Sequence, residues 1–208
     1  ATYMAWGRPV AAVEAFRMAV RLEPSHPALW YNLASAALHN EELTLAVDAF
    51  QQALDLSPGH TDALLNLGVA YRKLGDLTKC IACYRHALEQ APQNITAEWN
   101  LATALLMSGE LREGWERYES RRRLSSFSIC DYAIPSWSGS IAVDNSLLVH
   151  AEQGLGDTFQ FIRYVVAARK KVGRLVLAVQ PPLKRFMQQL QIADDVVAHG
   201  EPVGDIDM

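Results

Sequence analysis

The sequence predicts an α-solenoid followed by a partial α/β domain. Two observations lead to this prediction. In the first part of the chain, residues of one kind recur every 34 positions, as Pro24, Pro58 and Pro92 do. In the last part, short apolar runs alternate with helical stretches. A fixed period of this length is the signature of stacked structural repeats, each of which buries its apolar face against its neighbours.

The 34-residue interval recurs at the positions that shape a pair of packed helices. Small residues, aromatic residues and leucines each repeat at it: Ala12, Ala46, Cys80 and Gly114; Phe16, Phe50, Tyr84 and Tyr118; Leu33, Leu67 and Leu101. A small residue, an aromatic and a terminating proline at this period resemble the tetratricopeptide repeat, which consists of a helix A, a turn and a helix B. We therefore expect about three and a half tetratricopeptide repeats over residues 1–124, the first of them incomplete.

Each repeat is expected to contribute two helices. In the second repeat, helix A runs from about Ala28 to His39 and helix B from about Glu42 to Leu56. In the third repeat, the helices run from about Asp62 to Leu74 and from about Leu77 to Gln90. Helix B of the fourth repeat runs from about Glu113 to Leu124 and has no proline after it, although proline ends helix B elsewhere because it cannot continue the hydrogen-bond ladder.

The turn between helices A and B needs a residue in the left-handed conformation. Gly75 and Gly109 supply it in the third and fourth repeats, because glycine has no Cβ to clash there. The second repeat has Asn40 and Glu41 at this place, and asparagine tolerates the left-handed conformation better than most residues. The sequence therefore predicts that Asn40 takes the left-handed conformation in the second repeat.

One asparagine occurs at the same place on each helix A. Equivalent positions on successive A helices fall in a line along the inner face of a solenoid, so these side chains predict a peptide groove. An amide both donates and accepts hydrogen bonds, and a row of amides can hold an extended peptide backbone of any sequence. The alternative is that each asparagine bonds a neighbouring helix and holds the stack together. The asparagines and their apolar neighbours are Asn32, Asn66 and Asn100, and Tyr31, Leu65 and Trp99.

Cys80, Cys83 and His86 are spaced like metal ligands on a predicted helix B. A structural zinc site needs four ligands, and no fourth is evident. Cys80 also occupies the position that must be small. We therefore interpret the two cysteines as core residues and predict no metal site.

Composition narrows the class of partner. The chain has 208 residues, half of them hydrophobic, and a formal net charge of −4. Nucleic-acid-binding proteins usually show a basic patch, which is not evident here, so a protein partner is expected instead. No apolar stretch approaches the roughly 20 residues that cross a bilayer. Three cysteines without an even framework favour a reducing compartment, and we expect a cytoplasmic location.

Residues 125–144 lose the repeat pattern and read as a linker, with Trp137 as an aromatic anchor. After the linker, Ser146 to His150 is an apolar run of strand length, and a helical stretch covers about Thr158 to Lys171. A second apolar run, Arg174 to Val179, follows. The pattern predicts a strand, a helix and a strand.

The alternation continues to the end of the sequence. Pro181 opens a helix that reaches about Leu190, and Asp195 to His199 fits a third strand. Strands that alternate with helices indicate a parallel sheet of the doubly wound kind. We expect residues 145–208 to form part of a Rossmann-like domain, because so short a segment falls below the usual size of a domain.

The loop after the first strand carries the candidate chemistry. Gly154 and Gly156 resemble part of a dinucleotide fingerprint, but Phe159 replaces the third glycine and Asp157 would repel a pyrophosphate, so we reject that function. Two interpretations of Asp157 stay open. In the first, it caps the helix, with Gln160 completing a capping box. In the second, it is a general base at the carboxyl end of the strand, where open α/β sheets bind ligands.

The stretch from Glu152 to Asp157, followed by Phe159 to Tyr164, resembles bacterial repeat proteins with a glycosyltransferase family 9-like, or heptosyltransferase-like, carboxyl domain. The resemblance implies the amino-terminal half of a GT-B fold, cut short. It implies that Asp157 deprotonates an acceptor hydroxyl and that the full-length protein uses a nucleotide sugar donor, while this fragment holds no cofactor. Peptide O-linked N-acetylglucosamine transferases similarly join repeats with groove asparagines to a transferase.

Other side chains near the loop complete the candidate site. His150, at the end of the strand, is a weak candidate for assisting proton transfer. Glu152 and Arg163 orient an acceptor or pair with each other, and Gln153 and Gln160 belong to the same loop region. Two functions remain open at this point. The chain is a fragment of a repeat-guided glycosyltransferase that acts on a protein or glycan acceptor, or it is a non-catalytic interaction scaffold.

Overall fold

The computed structural model describes residues 9–124, 132, 134–152 and 154–207. The chain divides into two compact units, Ala1–Phe127 and Ser128–Met208. The described part of the first unit is helical, and that of the second unit mixes strands and helices.

Helices packed in antiparallel pairs form the first unit. They are α1 (Pro9–Leu22), α2 (Pro27–His39), α3 (Leu43–Leu56), α4 (Thr61–Leu74), α5 (Leu77–Gln90), α6 (Ile95–Ser108) and α7 (Leu111–Tyr118). Thus α2, α4 and α6 are the A helices of the second, third and fourth repeats, and α3, α5 and α7 are their B helices. One cluster of buried apolar residues runs from Val13 to Leu105 through the stack. The predicted helices of the second and third repeats are confirmed to within about a residue at either end.

The fourth repeat departs from the prediction at its end. The α-helix α7 begins at Leu111 and stops at Tyr118, and a 3₁₀-helix, Glu119–Arg123, replaces its predicted continuation. Arg121 donates from Nη1 to the Tyr118 carbonyl oxygen at 3.3 Å across this tighter turn. Arginine side chains that bond carbonyl groups satisfy acceptors which a longer helix would use internally.

A small residue against an aromatic ring sets the distance between the helices of the third repeat. Gly68 on α4 faces Tyr84 on α5, and a Cβ added at Gly68 would lie 2.4 Å from a ring carbon. The Tyr84 side chain is fully buried. A side chain of any size at position 68 would therefore force the two helices apart or displace the ring.

The turn prediction is confirmed for the glycines and wrong for Asn40. Gly75 and Gly109 have φ of 81° and 89°. In the second repeat, Asn40 has φ of −89°, and Glu41 takes the left-handed conformation at φ 59°. Glu41 stands one 34-residue period before Gly75, so position in the repeat decides this conformation and residue type does not. Asn40 instead donates from Nδ2 to Oε1 of Glu42.

The second unit contains a three-stranded parallel sheet. Its elements are β1 (Ala142–His150), α8 (Leu155–Arg169), β2 (Val172–Val179), a 3₁₀-turn (Pro181–Leu183), α9 (Lys184–Leu190) and β3 (Asp195–Ala198). The strands lie in the order β1-β2-β3, and both pairs are parallel. The predicted alternation of strands and helices is confirmed.

The predicted doubly wound arrangement is not present in the described residues. Both strand connections step in one direction across the sheet, and right-handed crossovers of this kind place their helices on the same face. The buried cluster agrees, because Val165 of α8 and Met187 of α9 belong to one cluster with Leu175 and Leu177 of β2. The second unit is therefore a small parallel sheet with helices on one face.

The left-handed Glu41 generates a stability prediction. Replacing Glu41 with glycine removes the Cβ clash of that conformation, which costs a residue other than glycine about 1 kcal/mol. We expect Glu41→Gly to raise the free energy of unfolding by about 0.5–1 kcal/mol, less the small contribution of its exposed ion pair with Lys73. Chemical denaturation measures the change. Asn40→Gly is the control and should not stabilise the protein, and an equal gain from both variants would contradict the assignment.

Candidate peptide groove and candidate catalytic loop

The three predicted groove asparagines occupy the same position on α2, α4 and α6. Asn32, Asn66 and Asn100 are each the sixth residue of their helix, and each is half-buried. Their side chains are therefore partly accessible to a ligand, and the helix fixes the positions of their Cα atoms. Within the described residues, the Asn32 and Asn100 side chains make no hydrogen bond to another side chain or to the backbone.

Asn66 is held by the neighbouring repeat. Its Nδ2 donates to the hydroxyl oxygen of Tyr31 at 3.1 Å. The Tyr31 ring stacks on His60, with centroids 4.8 Å apart and ring planes 20° apart. His60 in turn caps α4, because its Nδ1 accepts the Ala63 N–H at 3.3 Å. Asn66 therefore bonds a neighbouring helix, as expected if the asparagines hold the stack together. Its carbonyl oxygen accepts no hydrogen bond from the described part of the chain.

The apolar neighbours of the asparagines divide into two kinds. Tyr31 and Trp99 are half-buried, and the Trp99 ring lies 4.8 Å from that of Tyr118. Leu65 is only 9% exposed and belongs to the buried cluster of the stack. Two aromatic side chains thus contribute surface beside the asparagines, while Leu65 contributes packing.

Cys80 and Cys83 pack in the first unit. Cys80 is fully buried and Cys83 is half-buried. Burial raises the pKa of the Cys80 thiol. The pKa of the Cys83 thiol is raised to about 12, mainly by burial and to a smaller extent by the neighbouring Cys80. Metal binding requires thiolates, which these environments disfavour. The described ranges hold no group of three or more His, Cys, Asp or Glu residues placed to bind a metal ion.

A hollow between the third and fourth repeats was not predicted from the sequence. Its volume is about 360 Å³, and charged groups of Arg85, Glu89, Glu98 and Arg117 line it. Glu98 stands where the 34-residue period places Trp30 and Leu64 in the preceding repeats. A charged residue at a position that is apolar in the other repeats was the feature of the sequence that could have indicated this hollow. Glu98 is paired with Arg123 at 3.4 Å.

Asp157 lies in the first turn of α8, immediately after the loop that follows β1. Its Oδ2 accepts the backbone N–H of Gly154 at 3.2 Å. The predicted capping box is wrong in its register, because Gly154 is the N-cap and Asp157 is the third helical residue. Gln160 is therefore an exposed residue further along α8 and not a partner in the box. Asp157 is half-buried, and its Oδ1 has no hydrogen-bond donor among the described residues.

The two glycines of the loop are not required by the backbone. Gly154 has φ of −68°, and Gly156 already lies within α8. A Cβ added at Gly156 would meet no atom within 4 Å. Because packing does not demand glycine there, its effect is to leave the amino end of α8 uncovered on the side of Asp157.

The other residues predicted for the loop do not form one cluster. His150 ends β1, with its ring centroid 5.4 Å from that of Tyr132. Glu152 is half-buried in the loop. Arg163 lies over the Tyr164 ring at 5.0 Å and donates to the Tyr164 hydroxyl, so the predicted pairing with Glu152 is replaced by this contact. Gln153 lies outside the described residues.

The outer edge of β1 is occupied by the segment that follows β3. Ser146 donates its backbone N–H to Asp207 Oδ2 at 2.8 Å and accepts the Asp207 N–H at 3.3 Å. These hydrogen bonds lower the pKa of Asp207, with the backbone contact as the larger cause. The chain therefore steps from β1 to β2 and β3 and then returns to the opposite side of β1. In open α/β sheets, ligands bind at the carboxyl ends of the strands, and the loop that leads to Asp157 leaves β1 at that end.

Comparisons with known proteins place the repeats in the first unit. Two sequence models of the tetratricopeptide repeat match, over residues 2–61 and 61–94. The protein FlbA of Caulobacter vibrioides is 34% identical over 99 residues, a match that covers 45% of this chain and 17% of FlbA. The chain thus spans a small part of that curated relative.

Solved structures show the same fold. A crystal structure of MamA has a TM-score of 0.56 at 29% sequence identity, over 59% of this chain and 71% of that one. The first tetratricopeptide domain of Spaghetti (RPAP3), solved with the HSP90 peptide SRMEEVD, has a TM-score of 0.51 at 24% identity, over 52% and 86% of the two chains. At that identity the second likeness concerns the fold alone.

None of the helices in the described ranges has the length and apolarity to cross a bilayer. The sheet domain's resemblance to glycosyltransferases stays a prediction. Taken together, the period, the helix pairs and the family matches show that residues 2–94 are tetratricopeptide repeats, and α6 and α7 extend the array.

Proposed function

We propose that the repeats bind an extended segment of a partner protein along the row Asn32, Asn66 and Asn100. The observation that carries the proposal is the Asn66 amide, which Tyr31 holds through Nδ2 while the carbonyl oxygen keeps no donor within the described residues. An amide fixed in this way is prepared to accept a backbone N–H without first losing rotamer freedom. Tetratricopeptide repeats are protein-interaction modules, and the RPAP3 structure holds a peptide, which supports a ligand of this kind.

The arrangement favours recognition of a main chain. The asparagines repeat at one position on successive A helices, so their spacing follows the stack and not a particular ligand sequence. The half-exposed rings of Tyr31 and Trp99 add apolar contact beside the amides. Directional amide bonds flanked by aromatic surface are the features by which such a groove holds an extended chain.

The row is tested by removing all three amides. We expect the triple variant Asn32→Ala, Asn66→Ala, Asn100→Ala to lose at least about tenfold in affinity, because each peptide hydrogen bond contributes about 0.5–1.5 kcal/mol. A phage-displayed library of random peptides is panned on the wild type and on the variant, and the affinities of the enriched peptides are then measured by calorimetry.

The control for this test is Asn40→Ala, which removes an asparagine that lies in a turn and bonds Glu42. It should leave peptide affinity unchanged. Circular dichroism establishes that each variant keeps its helices. Equal affinity of the wild type and a folded triple variant would show that the row is only structural.

We further propose that the second unit is part of a nucleotide-sugar-dependent glycosyltransferase-like domain in which Asp157 is the general base. Three observations support this. The carboxylate follows the carboxyl end of β1, it is half-buried with Oδ1 unbonded within the described residues, and β1 belongs to a parallel sheet with alternating helices. The acceptor would be a hydroxyl of a protein or glycan, whose proton Asp157 would take as the sugar arrives from the nucleotide donor.

Two substitutions of Asp157 separate its proposed role as a general base from its role in capping α8. Asp157→Asn keeps an oxygen that accepts the Gly154 N–H, so α8 stays capped, but it removes the base. We expect sugar transfer by the full-length protein to fall by about 10²- to 10⁴-fold with little change in thermal stability. Asp157→Ala should lose both the activity and about 0.5–2 kcal/mol of stability. The measurement is transfer from a panel of nucleotide sugars, and unchanged transfer by Asp157→Asn would leave the non-catalytic scaffold as the function.

A further inference from the structure

We infer that the groove selects uncharged extended segments and discriminates against acidic ones. This inference rests on the proposed function, since it concerns what the row Asn32, Asn66 and Asn100 binds. The first observation is the composition of the A helices. The helix α2 contains no Asp, Glu, Lys or Arg, and α6 contains only Glu98. The B helices α3, α5 and α7, by contrast, all carry charged residues along their length.

The charges that the A helices do carry would not attract an acidic ligand. Asp62 is exposed in the first turn of α4, and Glu98 lies in the first turn of α6, so both charges near the start of these helices are negative. Glu98 is moreover neutralised by Arg123 at 3.4 Å. A carboxylate brought to this surface would meet repulsion from Asp62.

The two cations of the A helices are engaged elsewhere. Arg72 and Lys73 both lie in the last turn of α4, about two helical turns from Asn66. Lys73 pairs with Glu41 of the preceding repeat. Arg72 lies six residues after Asn66, which places the two residues on different faces of α4. Neither cation is therefore positioned beside the asparagines.

Tyr31 adds specificity for neutral donors. By accepting one of the two Nδ2 hydrogens of Asn66, it fixes the amide and keeps the Asn66 carbonyl oxygen available as an acceptor. A carbonyl oxygen pairs with the N–H of a peptide bond or of an amide side chain, and it cannot pair with a carboxylate, which only accepts. Burying a carboxylate without a cation or a donor is far costlier than burying a peptide group that is bonded. Tyr31 is thus a positioning residue that fixes the orientation of the Asn66 amide and keeps its carbonyl oxygen as an acceptor for a peptide N–H.

The peptide of the RPAP3 structure gives a direct contrast. SRMEEVD carries three acidic side chains and one basic one. The groove described here offers no unpaired Lys or Arg next to its asparagines within the described helices, so we expect it to bind such a peptide poorly. Its ligands should instead be segments of uncharged polar and apolar residues.

The test begins with peptides that a random library yields on the wild-type chain and not on the triple alanine variant. We expect their average net charge to be near zero. Each selected peptide is then synthesised again with glutamate in place of two uncharged residues, and calorimetry should show a loss of at least about tenfold in affinity. SRMEEVD is the acidic reference probe, and it should bind more weakly than the selected peptides.

The positioning role of Tyr31 is tested separately. Tyr31→Phe keeps the ring and its stack on His60 but removes the acceptor for Asn66. We expect it to weaken the uncharged peptides about threefold to tenfold and to reduce the discrimination against their glutamate forms. A purely structural role would alter thermal stability and leave that discrimination ratio unchanged.

The outcomes distinguish the two proposals. Selected peptides that carry a net charge of about −2 or lower, or that tighten when glutamate is added, would overturn the charge preference while leaving the groove as the ligand site. Absence of any peptide that depends on the three asparagines would overturn the groove itself, and the charge preference with it. Neutral peptides that depend on the row and weaken with glutamate would support both.

Discussion

The contact between the Tyr84 ring and the backbone at Gly68 is the constraint on which the repeat array depends. A Cβ at position 68 would lie 2.4 Å from a ring carbon, so α4 and α5 approach as closely as their backbones allow only because no side chain stands between them. Close approach lets Tyr84 be fully buried. The helix pairs then stack so that equivalent residues of successive repeats follow one line. The row of asparagines on the A helices is a consequence of that regularity.

Much of the repeat unit follows from the sequence because its determinants are local and recur. The 34-residue interval predicts the helix bounds, and glycine marks two of the three turns. The third turn shows where local reasoning stops. Asparagine is the more tolerant residue, yet Glu41 adopts the left-handed conformation because the repeat geometry fixes the position. The Tyr31–Asn66 hydrogen bond joins residues 35 apart in neighbouring repeats, and no local pattern reports it.

The sheet unit was harder to predict for a related reason. Alternation of strands and helices identifies a parallel sheet, but it does not give the strand order, and the observed order places both helices on one face. At the loop, the sequence predicted a helix from about Thr158, whereas α8 starts at Leu155 and includes Gly156. That shift moves Asp157 from the cap position to the third helical residue, where one carboxylate oxygen bonds Gly154. A capping role and a role as a base are compatible, because they use different oxygens.

The most direct test of the account compares two glycine-to-alanine substitutions by chemical denaturation. Alanine normally stabilises a helix interior relative to glycine by about 0.5–1 kcal/mol, so a loss at position 68 would report the contact itself. We predict that Gly68→Ala lowers the free energy of unfolding by about 1–3 kcal/mol through overpacking against Tyr84. Gly59→Ala, whose Cβ would make only an ordinary 3.6 Å contact with Gln90, should have little effect. Equal or greater stability of Gly68→Ala would contradict the claim that this close approach sets the array.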